Sequence, residues 1–236
     1  MPVLFEKLNI EYQEYSFTIE ADFERVVMKL SNQIFGPDSV YFNVKKRVKG
    51  KDIISIPDGY VIDFADPNNP RLFVVENEIV SHDPFKHIGN QMLRFVVSFE
   101  DARAEIWDIL MLDIQGNKDV LKLLEQAVKK SSFRNVDDFL NKAVYSEFSG
   151  VVVIDEVLPE LTRVLEKINA NISVLELRTF QAEDGSFCYH YDTLYEEEKA
   201  GVANISGPQT YKTPEERKHY IERRAQCDTV IVPAQE

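Results

Sequence analysis

Three acidic residues in the first half of the chain interrupt two strongly apolar segments. Asp58 comes just before the mainly apolar stretch 59–64, and Glu76 and Glu78 directly follow the apolar run 72–75. Glu76 and Glu78 share one face of a strand, because the side chains of a strand alternate. Carboxylates that converge in a buried place repel one another and lose hydration, so they require a compensating cation. A divalent ion such as Mg²⁺ suits them, since it needs only one or two protein carboxylates beside water and substrate phosphate.

A predicted β-hairpin brings these acids together. The segment 66–70 between the apolar stretches reads Asp-Pro-Asn-Asn-Pro, and these residue types favour tight turns. Folding the chain about this turn places Asp58 opposite the segment 76–78. The simpler alternative for the same pattern is a sheet end with solvated acids that bind nothing.

A helix over residues 19–35 is predicted before the hairpin. Its apolar residues recur with a helical period, Thr18 is a candidate N-cap, and Gly36 ends the pattern. Glu20 and Glu24 lie four residues apart and share a face. The helix dipole stabilises acids near an N-terminus, which is the simpler explanation of this pair.

A second helix is predicted after the hairpin. Asp83 and Pro84 are typical of a helix start. The apolar residues that predict its core-facing side are Phe85, Ile88, Met92, Phe95 and Phe99. Beside that side lie Lys86, His87 and Gln91, which are either ordinary surface polar groups or neighbours of the three acids.

The rest of the chain alternates strands and helices, as in a mixed α/β fold. The further predicted elements are strands at 40–48 and 53–56, helices between 101 and 146 with breaks near 116–117 and 131–135, a strand–helix–strand unit at 151–154, 159–170 and 172–180, and a returning strand at 186–194. The strand–helix–strand spacing predicts parallel strands, and Asp184-Gly185 predicts an antiparallel hairpin after them.

The last part of the chain is predicted to be a small appendage. Residues 196–236 combine an acidic linker with a capping-box helix start at Thr213 and a strand at 229–232. We therefore expect a main domain over 1–195 and a linker with a C-terminal helix and strand over 196–236. A strand so near the end must pair with another element, or the chain is part of a longer protein.

The composition limits the class of protein. A net charge of −13 over 236 residues argues against a protein that coats nucleic acid through its overall field. Cys188 and Cys227 are too few for a disulfide framework or a thiolate metal site, which indicates a reducing compartment. The sequence has neither a signal peptide nor a membrane-length apolar run, so we expect a cytoplasmic protein without a membrane partner.

One segment is positively charged, although the chain as a whole is negatively charged. Its cations are Lys45, Lys46, Arg47, Lys49 and Lys51, with no acid from 41 to 51. Such a run is either a solvated strand edge or a local contact for nucleic acid.

The order of these motifs resembles the PD-(D/E)xK nucleases, whose fold is restriction-endonuclease-like. The resemblance covers residues 18–182 and rests on an acidic leading helix, a basic strand, Pro57-Asp58, Glu76-x-Glu78, and a following helix with a βαβ unit. It implies an α/β fold in which a mixed central sheet is flanked by helices. It also implies hydrolysis of DNA phosphodiester bonds with Mg²⁺, or Mn²⁺, as cofactor.

The resemblance further implies roles for individual residues. Asp58 and Glu76 would bind the metal ion together with the main-chain carbonyl of Asn77. The acid of the leading helix would be Glu20, which we prefer over Glu24. We expect the basic segment, with Lys86, to contact the DNA.

One position departs from the family pattern. Glu78 stands where the family usually has a lysine that helps activate water and stabilises phosphate charge. Glu78 could act as base or metal ligand, Lys86 or His87 could supply the missing cation, or the site could bind without cutting. His87 is the other candidate base. Gln91 with Phe95 is similar to the Gln-x-x-x-Tyr helix of exonuclease-like branches, but lacks its hydroxyl.

The leading hypothesis is a Mg²⁺-dependent DNA endonuclease of restriction or defence type. The alternatives are an inactive nuclease-fold subunit for DNA binding or assembly, and an acidic module that binds a basic protein. A homodimer would suit cleavage of both strands, and a partner subunit is the other arrangement.

Overall fold

The computed structural model describes residues 3–5, 10–50, 54–82, 84–194 and 229–232. The strands are β1 (Val3–Phe5), β2 (Ile10–Tyr15), β3 (Ser39–Phe42), β4 (Val48–Lys49), β5 (Ile54–Ser55), β6 (Gly59–Asp63), β7 (Arg71–Glu78), β8 (Ser149–Ile154), β9 (Asn171–Ala182), β10 (Phe187–Tyr191) and β11 (Thr229–Val232). The helices are α1 (Glu20–Lys29), α2 (Ser31–Ile34), α3 (Pro84–Gly116), α4 (Lys118–Lys129), α5 (Val136–Val144) and α6 (Pro159–Leu165). A 3₁₀ turn, Val80–His82, connects β7 to α3.

Nine of these strands form one curled mixed sheet. Its order is β1-β2-β9-β8-β7-β6-β3, and β10 with β11 forms a branch that starts at β9. β7, β8 and β9 run parallel, which confirms the predicted strand–helix–strand unit. β10 returns antiparallel to β9 after a turn in which Gly185 has φ +82°, as the Asp184-Gly185 pair predicts. The strand predicted at 229–232 pairs with β10.

Helices cover the two faces of the sheet, so the coarse α/β prediction is confirmed. Alternate residues of β7 enter different cores because strand side chains alternate. Leu72 and Val74 pack into a core that includes residues of α3, α4, α5 and α6. Phe73 and Val75 pack into a second core that includes residues of α1 and α2. Among the described helices, none combines the length and hydrophobicity needed to cross a bilayer.

Several boundaries differ from the sequence prediction; the helix predicted at 159–170 ends at Leu165, and the strand predicted at 186–194 covers Phe187–Tyr191. The leading helix is interrupted at Leu30, whose φ of −99° and ψ of 10° separate α1 from α2. Thr18 is not its N-cap, because the helix starts one residue later and extended Ile19, which has no hydroxyl, occupies that position. The strand predicted at 40–48 ends at Phe42, since its partner β6 begins only at Gly59. The helix and linker predicted between 196 and 228 lie outside the described residues.

Candidate functional site

The β6–β7 hairpin sets Asp58 and Glu76 side by side. Gly59 pairs with Val75, so Asp58 stands across from Glu76. The main-chain N–H of Asn77 donates to Asp58 Oδ2 at 2.8 Å, which fixes this carboxylate at the end of the strand. The structure thus brings together the acids that the hairpin pattern was expected to join.

The packing of this hairpin requires glycine at position 59. A Cβ atom there would lie 2.6 Å from both the main-chain oxygen of Phe42 and the Tyr41 ring. The Tyr41 hydroxyl accepts a hydrogen bond from Asn77 Nδ2 at 3.1 Å. Burial raises the pKa of Tyr41, so a neutral hydroxyl lies beside the acids.

Glu76 is a buried carboxyl group with an unpartnered oxygen. The residue is 3% exposed, and Oε2 accepts from Gln91 Nε2 of α3 at 2.8 Å. Oε1 is buried and has no hydrogen-bond partner in the part of the chain that the structure describes. Burial raises the pKa of Glu76 well above its usual value, Asp58 raises it further through its charge and a side-chain hydrogen bond, and the charges of Glu20 and Glu78 add to the effect. Such a group is compensated when a proton or a cation reaches it.

Two histidines contact Glu78, the second acid of the Glu76-x-Glu78 motif. Glu78 is 1% exposed, and its Oε2 lies 2.7 Å from Nδ1 of His87 on α3. Its Oε1 accepts from the N–H of Ile79 at 3.0 Å and lies 3.3 Å from His82 Nδ1. His82 Nδ1 is also 3.6 Å from Glu20 Oε2. His82 is a candidate residue that the sequence interpretation missed.

Lys45 enters this acidic cluster from the segment after β3. Its Nζ forms an ion pair with Glu24 and lies 3.1 Å from Asp58 Oδ1. Partial burial alone would lower the pKa of Lys45, but the hydrogen bond with Glu24 and the charge of Asp58 outweigh it and raise the pKa. Burial raises the pKa of Asp58 and of Glu24, because desolvation exceeds the opposing attraction of Lys45. The sequence pattern had left Lys45 as part of a solvated strand edge or as a contact for nucleic acid, and had not predicted its contact with the acids.

Two overlapping groups of side chains could hold an ion. Glu20, Glu24 and Asp58 form one, Glu20, Glu78 and His82 form the other, and within each group the ligand atoms lie within 4.8 Å of one another. The first group offers only oxygen, which suits a hard cation, and the second adds an imidazole. Carboxylate oxygens are the donors that a divalent ion takes, and the buried Glu76 oxygen without a hydrogen-bond partner among the described residues adds one more such donor in this region.

β4 and β5 form a short hairpin that packs against α3. Val48 pairs with Ser55, and both are buried, with Ser55 Oγ 3.4 Å from Ser98 Oγ of α3. Because side chains alternate along a strand, the residues on either side of Val48 and of Ser55 point away from the core. The exposed outer face of this hairpin, which we call the hairpin face, consists of Arg47, Lys49, Ile54 and Ile56. The two isoleucines are 43% and 46% exposed, so the hairpin face combines apolar and positively charged side chains.

Three further lysines were expected to contact DNA. Lys46 is exposed, as a DNA contact would need to be. Lys51 lies outside the described residues, and so does the side chain of Lys86.

Comparisons of this chain with protein-family models, with curated proteins and with solved structures find no match.

Proposed function

We propose that this chain is a metal-dependent deoxyribonuclease with a restriction-endonuclease-like fold, an endonuclease of restriction or defence type. The observation that carries the proposal is the juxtaposition of Asp58 and Glu76 across the end of a hairpin, with a buried Glu76 oxygen that lacks a partner. A fold with no need for a cation would gain stability by replacing such a carboxyl group with an apolar residue. Buried acids at the end of a sheet are therefore better explained by a cation-binding site than by a contribution to stability.

Asp58, Glu76 and the main-chain carbonyl of Asn77 would hold Mg²⁺ in this proposal, and Mn²⁺ could replace it. When bound, the ion supplies Lewis acidity to the scissile phosphate and acidifies water. The chain itself orients the two carboxylates, through the N–H of Asn77 for Asp58 and the amide of Gln91 for Glu76. Oriented ligands of this kind need little reorganisation when the ion binds.

Lys45 is the cation that would replace the usual family lysine. Its ammonium group already lies at the acids, 3.1 Å from Asp58 Oδ1, and its raised pKa keeps it charged. A fixed positive charge at this place stabilises negative charge that develops on the phosphate in the transition state. Lys45 reaches the site from a different segment than the family motif, which explains why Glu78 can stand in the motif position.

His87 and Glu78 together would accept the proton of the attacking water. Nδ1 of His87 lies 2.7 Å from Glu78 Oε2, so an N–H there donates to the carboxylate and leaves Nε2 as the free acceptor. The His87 side chain is 56% exposed, so water can reach that nitrogen. Glu78 would orient the ring and stabilise the imidazolium that forms.

The hairpin face and Lys46 would contact the DNA. The chain enters the hairpin just after Lys45 and leaves it just before Asp58, so the hairpin face is joined at both ends to residues of the proposed site. Arg47 and Lys49 attract the phosphate backbone, although the overall charge of the protein is negative. Exposed isoleucines beside such cations are the kind of apolar group that proteins insert at DNA grooves.

The test is incubation of the protein with supercoiled and linear DNA in the presence of Mg²⁺, Mn²⁺ or EDTA. We expect cleavage with the metal ions alone and a loss of about a hundredfold or more in Asp58→Asn. Asp137→Asn, which replaces an exposed acid of α5 in the same way, is the matched control. Equal cleavage by Asp58→Asn and the control would reject the proposal.

A second candidate function is a nuclease-fold subunit that binds DNA without cutting it. The ion pairs of Lys45 favour it, because Lys45 already compensates Asp58 and Glu24 without a metal ion. This candidate predicts DNA binding that does not depend on metal and no cleavage under any condition. An acidic module for a basic protein partner would show neither.

A further inference from the structure

We propose that the outer face of α3 binds the same face of a second copy of this chain in an antiparallel, two-fold arrangement. This surface, which we call the α3 face, consists of the exposed residues Leu93, Arg94, Val97, Asp101 and Ala104 together with a hollow beside them. The proposal does not rest on the proposed nuclease function, because none of these residues belongs to the acidic site.

Three apolar side chains form a stripe along the α3 face. Leu93, Val97 and Ala104 recur at intervals of four and seven residues, which places them on one side of the helix. Leu93 is 50% and Val97 is 56% exposed, although Met92 and Phe95 of the same helix lie in the core. Contiguous exposed apolar groups with polar residues around them are typical of protein-binding surfaces.

A hollow of about 150 Å³ continues the stripe at its C-terminal end. Its lining consists of Ala104, Trp107 and Asp108 of α3 and of Asn141 and Tyr145 at the end of α5. Cavities of about this volume hold a benzene-sized group, so the side chain of a leucine fits into this one. The α3 face thus combines an apolar projection, Leu93, with a hollow of matching size.

The projection and the hollow of one copy meet those of another in an antiparallel pair of α3 helices. If the two-fold axis passes level with Ser98 and Phe99, Leu93 of one copy lies opposite Ala104 of the other, because both residues are equally far from the axis along the helix. The axis generates the same contact a second time, so each copy supplies one projection and one hollow. The α3 face is therefore self-complementary in shape.

The charges of the α3 face determine the direction of the pairing. Arg94, Asp101 and Asp108 are exposed and recur at intervals of seven residues, so they follow the same side of the stripe, with the cation first and the acids after it. In an antiparallel pair, Arg94 of each copy lies beside Asp101 of the other, whereas a parallel pair would bring like charges together. This complementarity favours a second copy of the chain as the partner.

The test is sedimentation equilibrium of the full chain in EDTA, with the fluorescence of Trp107 recorded over the same concentrations. We expect a dimer that dissociates on dilution and an emission that moves to longer wavelength as it does, because Trp107 is the single tryptophan of the chain and lines the hollow. Leu93→Lys should weaken the dimer about tenfold or more, since a charged group replaces the apolar projection. Leu123→Lys, at an exposed leucine of α4, is the matched control and should dimerise like the wild type.

An exchange of charges tests the pairing itself. Arg94→Glu and Asp101→Arg should each weaken the dimer about tenfold, because each brings like charges together at both ends of the interface. The double variant should restore the dimer. Within one chain the two residues are two turns of helix apart, roughly 10 Å, so this rescue requires that they meet between copies.

Three results would overturn the interface. They are a wild type that stays monomeric at every concentration, a dimer that Leu93→Lys leaves unchanged, and a monomer whose Trp107 emission still shifts in Leu93→Lys, since another part of the chain would then cover the hollow. A dimer that behaves as expected but cuts no DNA contradicts the nuclease proposal and leaves the interface standing. A monomer that cuts DNA has the opposite meaning.

Discussion

Replacement of Glu76 by glutamine should stabilise the metal-free protein, although it removes a proposed metal ligand. Glutamine has the shape of glutamate, and its oxygen can still accept from Gln91 Nε2. Its amide can donate towards Asp58, whose carboxyl group lies close enough to Glu76 to raise the pKa of Glu76. The substitution therefore keeps the packing and removes only the titration of a buried acid.

The magnitude follows from the raised pKa of Glu76 in the folded state. A carboxyl group whose pKa is raised in the folded state does not lower the free energy of unfolding at pH values below its unfolded-state pKa of 4.5. The free energy of unfolding then falls as the pH rises from 4.5 to the folded-state pKa. Each pH unit between the unfolded and the folded pKa lowers the free energy of unfolding by about 1.4 kcal/mol. A chain of this size changes its melting temperature by about 2–4 °C per kcal/mol, so Glu76→Gln should melt several degrees higher at neutral pH.

The assay is thermal unfolding in EDTA from about pH 4.5 to 8, a range that starts at the ordinary carboxyl value. The curves of wild type and Glu76→Gln should coincide at the acid end and diverge as the pH rises. Glu125→Gln, an exposed position of α4, should follow the wild type throughout. Addition of Mg²⁺ should stabilise the wild type alone. If Glu76→Gln is no more stable than the wild type at neutral pH, the energetic argument for a cation site at Glu76 is wrong.

Three further predictions concern the surroundings of the site. Gly59→Ala should lower the unfolding free energy by about 1–3 kcal/mol in denaturant titrations, whereas Gly116→Ala, with nothing near its added Cβ, should not. Lys45→Met should reduce cleavage about a hundredfold while calorimetry still detects Mg²⁺ binding, and loss of both together would contradict a role in the transition state. The double variant Arg47→Ala, Lys49→Ala should weaken DNA binding and lower by about two the number of counterions released, as read from the slope of the binding constant against salt concentration. An unchanged slope would mean that the hairpin face does not contact DNA.

The hairpin and its acids could be predicted because their signals are local. The turn composition of 66–70 and the period-two alternation of Glu76 and Glu78 are properties of short segments, and the parallel strands follow from the spacing of β8, α6 and β9. The observed register sets Asp58 across from Glu76, as those signals require. Gln91 was expected near the acids, and its hydrogen bond to Glu76 is consistent with that.

The partners of the acids could not be predicted, because they depend on long-range packing. Lys45 stands in a run of cations, and nothing in the run distinguishes it from Lys46, which is exposed. Its contact with Asp58 exists because β3 ends at Phe42 and the following segment brings Lys45 to both Glu24 of α1 and Asp58. His82 offered one local signal, since it follows Glu78 by four residues. A 3₁₀ turn after the strand brings it back to that carboxylate.

The ion pair of Lys45 with Asp58 also closes a loop of main chain. The segment between them contains β4 and β5, so the hairpin face is carried on a loop whose two ends are the proposed reactive groups. The same loop is anchored between its ends, because Val48 packs in the core and Ser55 lies against Ser98 of α3. The hairpin face and the two charged groups are therefore held on one segment by shared contacts with α3 and the core.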